Sequence, residues 1–416
     1  MERAVRLLCV ALSAVILYGC GDFKPHPVTW EDIARTIPAD PEYVVSVNTT
    51  FEADSALNDI WAKEDVLSLI GTGLALDSVR PDHFVVVALP KATFVTWPLP
   101  NPRAVAEKVG EWNIASLNNT DDAHILVRGK ASLVVSSTQA WVVNNVHGEK
   151  FVNEILQEAM NTKALHTVPF AECIIGTPAA VNAVIPYEGK YYDIEINHES
   201  GLLRVDVDAF DKNGRQLDII DGLGRLPIEF IDQASPYSPF AAVEVERGTM
   251  PSLLKRVAKL LGDLHLQLGV RMISSAFNDV AGTVLARWNS DALEVKIPYV
   301  STDAAHVAEH SIKSVLKKTD AHYNVALRRD TLIISRNIGM GFYPYDADHT
   351  TPHRYSETEN PSAVAFARVD LEKNDRADLY FELAPTHARL QVDFHDDKVN
   401  LPKAVELVKK IIFRVL

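Results

Sequence analysis

Leu203-Arg204-Val205-Asp206-Val207-Asp208-Ala209 alternates apolar and polar residues without a break, and Leu390-Gln391-Val392-Asp393-Phe394-His395 does so again. Strict alternation gives a strand one buried face and one wet face. Such strands belong to an antiparallel sheet rather than to a doubly wound parallel one, whose strands are buried on both sides. Asp206 and Asp208 are read accordingly as the wet face of their strand. Asn213-Gly214 marks a tight turn.

The same plan recurs along the chain at a spacing of roughly two hundred residues. Tyr43-Val44-Val45-Ser46-Val47 has a counterpart in Phe240 to Val245, and a helical stretch follows each, Ala53 to Ile70 and Pro251 to Ser275. Strands Phe84 to Leu89 and Thr93 to Leu99 answer to Thr283 to Trp288 and Leu293 to Val300. The next helices share Val-Ala-Glu at 105–107 and 307–309, and the hairpin Ile125 to Ser136 answers to Asn324 to Ser335. More loosely, Pro169-Phe170 to Gly176 matches Pro361-Ser362 to Arg368. The expected fold is α+β, in two sequence-related halves, each an antiparallel sheet with helices packed on one face. Gly222, Gly224, Pro227, Pro236 and Pro239 mark the junction. The boundaries read as a leader at 1–19, a tether at 20–36, a first repeat at 37–225 and a second at 226–416.

A chain of 416 residues is too long for one compact core. Its 47% hydrophobic content excludes a disordered polymer. The net charge of −14 argues against a nucleic-acid partner, whose phosphates demand a basic footprint. Three cysteines make no disulfide framework.

The first twenty residues read as an address. Arg3 and Arg6 precede the apolar or small run Leu7 to Leu17, which ends in Tyr18-Gly19-Cys20. The run is about a dozen residues, short of the ~20 that span a bilayer, so it reads as a secretory leader. A small residue before cysteine resembles a bacterial lipobox, which makes Cys20 the lipidated mature N-terminus. Removing the leader would leave −15, discard Cys9 and keep Cys173 as the one free thiol. Cys173 lies in the apolar run Phe170 to Ile175 and is expected to be buried and inert.

Ile37-Pro38-Ala39-Asp40 followed by Tyr43-Val44-Val45-Ser46-Val47-Asn48, behind a lipobox, resembles a family of uncharacterised lipoproteins from Bacteroides and its relatives. Ser136-Ser137-Thr138-Gln139-Ala140-Trp141 resembles a strand of the same family, whereas Pro41 stands where its usual residue is alanine. The resemblance implies a lipid-anchored protein of the cell envelope, at the outer membrane, with no known activity.

His306-Val307-Ala308-Glu309-His310 has the H-x-x-E-H spacing with which two histidines on one helix face grip zinc and a glutamate acts as base. Against it, Ala305, Ala308, Ile312, Val315 and Leu316 form the apolar stripe of that helix. The histidines and Lys313 then fall on the solvent side, and Glu309 is placed to pair with Lys313. Asp206 to Gly214 fails as a calcium loop, because its first and twelfth positions are Ala209 and Ile220. Leu401 to Leu416 is an amphipathic stretch better suited to covering a core than to lying on a membrane.

Between Asn337 and Asn360 the chain carries Tyr343, Tyr345, Asp346, His349, His353, Arg354 and Tyr355 without periodicity, where the first half has a regular helical pattern at 148–160. A long aromatic and polar loop of this kind is a candidate binding surface. The reading is a lipid-anchored envelope protein that binds an envelope protein, peptide or glycan without catalysis and needs no cofactor. A zinc hydrolase at His306, Glu309 and His310 is one alternative, and a structural subunit of an outer-membrane complex is another.

Overall fold

The computed structural model of the chain describes residues 29–34, 37, 41–48, 83–89, 92–98, 115–116, 123–128, 131–136, 139–144, 168–176, 179–227, 239–260, 274–288, 292–317, 323–337, 361–370, 376–399, 403–404 and 407–408. Mostly antiparallel strands with a few helices make an α+β fold. The chain divides into two compact units. The first comprises Met1–Ser200, Val207–Leu217 and Lys398–Ala404; the second comprises Gly201–Asp206, Asp218–Asp397 and Val405–Leu416.

In the first unit the β-branched run Tyr43–Asn48 forms β1, and His83–Leu89 and Ala92–Pro98 form β2 and β3. Short strands Ala115–Ser116 (β4), Ala123–Arg128 (β5), Ala131–Ser136 (β6) and Gln139–Asn144 (β7) follow, then Val181–Tyr187 (β8) and Lys190–Glu199 (β9). Antiparallel pairings place them in the order β4-β5-β6-β7-β3-β2-β1-β8-β9. Helices Trp30–Ala34 (α1) and Val168–Ile175 (α2) pack together, and α2 also lies on β1, β8 and β9. Ile33, Val44, Val85, Val87, Phe170, Cys173, Ile174 and Val184 are buried there. Burying a side chain the size of Phe170 contributes about 2 kcal/mol.

Leu202–Phe210 forms β10, and the turn beyond it forms where Asn213-Gly214 marks it. Asp211 Oδ1 accepts from the backbone N–H of Asn213 (2.8 Å) and of Arg215 (2.9 Å). Gly214, at φ +79°, takes the left-handed conformation that closes the turn.

The second unit holds β11 (Phe240–Val245), β12 (Gly282–Trp288), β13 (Leu293–Pro298), β14 (Asn324–Arg328), β15 (Thr331–Arg336), β16 (Ala363–Asp370), β17 (Arg376–Leu383) and β18 (His387–Asp393). Their antiparallel order is β14-β15-β13-β12-β11-β16-β17-β18. Helix Met250–Leu260 (α3), a 3₁₀ turn at Ser274–Phe277 and helix Thr302–Leu316 (α4) are the unit's helical elements among the described residues. Ser301 caps α4, its Oγ accepting from the N–H of Ala304 at 3.2 Å, and Asp303 and Lys313 sit at the ends that the helix dipole favours. Ala305, Ala308 and Ile312 pack with Val284, Ile297, Leu332, Ala276 and Phe277 in one apolar cluster. Leu226, Phe240, Ala242, Leu285, Val364 and Phe366 form another.

One expectation is corrected here. Pro169–Gly176 and Pro361–Arg368 are not equivalent, since α2 is a helix and β16 a strand. The hairpin β14-β15 joins its sheet through β15 on β13, and in the first unit β7 of the β6-β7 hairpin joins through β3. Apolar patterning marks hairpins but does not say which strand reaches the rest of the sheet.

Candidate functional site

Register places Thr96, Val85, Ser46, Asn182 and Glu195 in one row across β3, β2, β1, β8 and β9. Thr96 is fully buried, and Ser46 and Asn182 are each 6% exposed. Polar groups taken out of water this far need partners. Ser46 Oγ makes a short hydrogen bond with His83 Nε2, and the Trp30 ring lies on His83 with centroids 3.7 Å apart. Burial pushes the His83 imidazole down to about 4, so it is neutral at neutral pH. A hydroxyl bonded to a neutral imidazole is the arrangement of a nucleophile and its base. Here the serine sits in mid-strand between two paired neighbours and is buried, and Trp30 covers the histidine. The pair satisfies an interior hydroxyl.

One row along, Val44, Val184 and Asp193 are aligned on the same sheet face. Asp193 Oδ1 is buried and accepts no hydrogen bond, and the same holds for Asn182 Oδ1. Burial raises the Asp193 carboxyl to about 7, and the negative charges of Glu195, Asp208 and Glu172 push the same way. Above this row lies Cys173 of α2, with Sγ 3.5 Å from the Asn182 carbonyl oxygen and 3.8 Å from that of Val44. Burial, reinforced by Asp193, drives its thiol well above the usual range, so Cys173 is an inert core residue.

In the second unit the sequence brings charges together that local pattern keeps apart. Phe394 donates its N–H to the Gly201 carbonyl at 3.1 Å, and Gly201 approaches Asp396 so closely that a Cβ would lie 2.5 Å from its carbonyl oxygen. That close approach sets the start of β10. Asp206 then receives Arg389 Nε on Oδ1 at 2.7 Å and Arg204 Nε on Oδ2 at 2.6 Å, with His387 Nε2 at 3.1 Å from Oδ1. Burial alone would raise this carboxyl. His387 beside Oδ1 and the hydrogen bonds from Arg389 and Arg204 overcome that and hold it well below the usual carboxylate range. The expectation that Asp206 lies on a wet strand face is therefore wrong, for its side chain is 9% exposed. Nearby, Arg368 grips Asp378 in a bidentate pair at 2.6 and 2.7 Å, and His395 Nε2 stands 3.2 Å from Asp378 Oδ2.

The H-x-x-E-H residues lie on α4. Ala305, Ala308 and Ile312 face the core, while His306 and His310 are exposed. Glu309 Oε1 accepts from Lys313 Nζ at 2.7 Å, and Glu309 Oε2 is 3.4 Å from His306 Nδ1. The hydrogen bond from Lys313 holds the Glu309 carboxyl below its ordinary value. Among the described residues no group of three His, Cys, Asp or Glu side chains is placed to hold a metal ion, and no helix is long and apolar enough to cross a membrane. Cys20, the leader, the helices expected at 53–70, 105–107 and 148–160, and Tyr343, Tyr345, Asp346, His349, His353, Arg354 and Tyr355 lie outside the described residues. So does most of the amphipathic stretch 401–416.

Sequence reasoning missed the Ser46–His83 pair, the Asp193 cluster and the Asp206 hub. Asn182, one polar residue inside the strand Val181-Asn182-Ala183-Val184, was a legible sign of a buried polar row. Nothing local announced Asp206.

No protein-family model matches the sequence, and no curated protein does. Two solved structures, crystal forms I and III of TP0453, align with 73% of this chain and with 91% and 92% of theirs. Identity is 7% and 9%, and the TM-score is 0.28 for both. No family is assigned on such figures.

Proposed function

We propose that this chain is a lipid-anchored protein of the bacterial cell envelope, held at the outer membrane through Cys20, whose duplicated α+β scaffold binds an envelope protein, peptide or glycan without catalysing a reaction. The observation that carries the anchor is the leader itself: two arginines, an apolar run too short to span, and Gly19-Cys20. Duplication is supported by strand order, since β3-β2-β1-β8-β9 and β13-β12-β11-β16-β17 run through the same sequence of pairings. The binding role rests on the aromatic and polar residues between Asn337 and Asn360. Asp206, Asp378 and Glu309 are each held by cations of the chain. Glu309, the base that a zinc hydrolase would need, is held by Lys313.

Crosslinking from native membranes, followed by capture of the chain, tests this reading. With wild-type protein a defined partner or glycan is recovered; with Cys20→Ser the chain leaves the membrane fraction or keeps its leader. Acyl chains contribute ~0.8 kcal/mol per buried CH₂, so loss of the anchor has a large effect. Replacing Tyr343, Tyr345 and Arg354 by alanine abolishes capture while the melting temperature stays nearly unchanged. A Cys20→Ser chain that remains wholly with the membranes refutes the anchor. A folded triple variant that captures every partner refutes the loop.

A further inference from the structure

The two sheets end differently beyond β7 and β15. In the first unit β7 lies on β3, β6 on β7 and β5 on β6, with β4 outside β5. In the second unit β15 lies on β13 and β14 on β15, and among the described residues no strand lies on β14. Arg328 and Thr331 close a two-residue turn, so Asn324, Ala326 and Arg328 direct their N–H and C=O groups to β15. Val325 and Leu327 direct theirs to the open edge, where they find no partner among the described residues. Val325 is buried in the apolar cluster of Ala305, Ala308 and Ile312, while Leu327 packs against that cluster and stays half-buried. A further strand would cover it.

Charge selects the occupant. Arg328 and Arg329 are exposed at the end of β14 and make no ion pair among the described residues. Asp330 beside them accepts from Thr331 Oγ1 at 3.4 Å. A second copy of this chain, at a net charge of −14, offers this edge the same arginines, whereas an acidic segment complements them. The first unit holds a strand of that kind: β5, antiparallel on β6, follows directly on Asp121-Asp122 in the sequence. A strand laid antiparallel on β14 likewise brings its N-terminal end beside Arg328 and Arg329.

We propose that the outer edge of β14 binds an extended peptide as an added antiparallel strand, apolar against Leu327 and acidic at its N-terminal end against Arg328 and Arg329. The site rests on the reading of the chain as a peptide-binding module and gives that role a place in the fold. Main-chain hydrogen bonds to Val325 and Leu327 hold the peptide, and the arginines set its direction.

The probe is a synthetic peptide of this chain's own residues 120–128, added to the full chain in detergent. At saturation, hydrogen–deuterium exchange slows at least about tenfold at the Val325 and Leu327 amides and stays unchanged in β17. Arg328→Glu with Arg329→Glu weakens binding at least about tenfold, and a peptide carrying Asp121→Lys and Asp122→Lys binds that variant as the original binds wild type. A peptide that leaves the two amides unprotected, or that binds equally to the charge-reversed protein, overturns the proposal. Protection of both amides in the free chain does so too, since the edge is then filled by this chain or by a second copy. Should the charge-reversed protein not fold, the lysine peptide is measured on wild type, and binding as tight as that of the original overturns the proposal equally. Capture from native membranes is read separately, so failure of the edge and failure of the binding role are told apart.

Discussion

Arg389 donates from Nε to Asp206 Oδ1 at 2.7 Å across 183 positions of sequence, and each side chain is 9% exposed. Two charges removed from water in this way are tolerable only together. Removing one leaves the other buried without a counter-ion. Arg204 and His387 complete the shell around the same carboxylate.

Asp206→Ala is expected to cost about 3 kcal/mol, the scale of an orphaned buried charge. Urea unfolding checks it, as a lower midpoint with an unchanged slope. The pH dependence has a definite sign. Because the folded carboxyl titrates below its ordinary 3.8, its contribution is present above that value and is lost as pH falls further. Wild-type stability should drop steeply below about 4 while the alanine variant declines more gently. Parallel acid limbs would show that the hub does not bind a proton differently in the two states.

His83 should resist protonation. Its ring, buried beside Ser46 and under Trp30, titrates at about 4 rather than at 6.5. Stability linked to it is complete above 6.5 and is lost as pH falls through about 4. Imidazole NMR shifts would locate the midpoint directly, and a value near 6.5 would mean that the ring is exposed. Ser46→Ala removes a buried partner and should cost about 1–2 kcal/mol.

Glu309→Gln should do little. It breaks one pair between neighbouring turns at the helix surface, worth about 0.3–0.5 kcal/mol, and leaves the apolar stripe of α4 intact. Elemental analysis of the purified protein should find no stoichiometric zinc. One zinc per chain, lost in His306→Ala, would restore the hydrolase reading.

Alternation along Leu203 to Ala209 was enough to place a strand, and Asn213-Gly214 was enough to place the turn after it, because both depend on local geometry alone. The face of α4 was legible for the same reason: an apolar stripe at helical spacing can point only inward. Period two did not survive as a guide to burial. In β10 the buried positions are Leu203, Asp206 and Ala209, three apart, so an acid expected in water lies inside.

The amino-acid sequence by itself determined the strands, the turns, the antiparallel character of the sheets and the inward face of α4, all of which follow from the torsional and hydrophobic preferences of residues near one another in the chain. Only the tertiary structure decided which polar residues are buried together. Asp206 becomes an ionic hub because β18 brings Arg389 and His387 to it. Asp193 is raised because the fold buries it, and Glu195 of the same strand, Asp208 of β10 and Glu172 of α2 add to that. The physical reason is the same in both cases. The ionisation and solvation of a buried group depend on charges a few ångströms away in space, and those charges come from segments that no local pattern places.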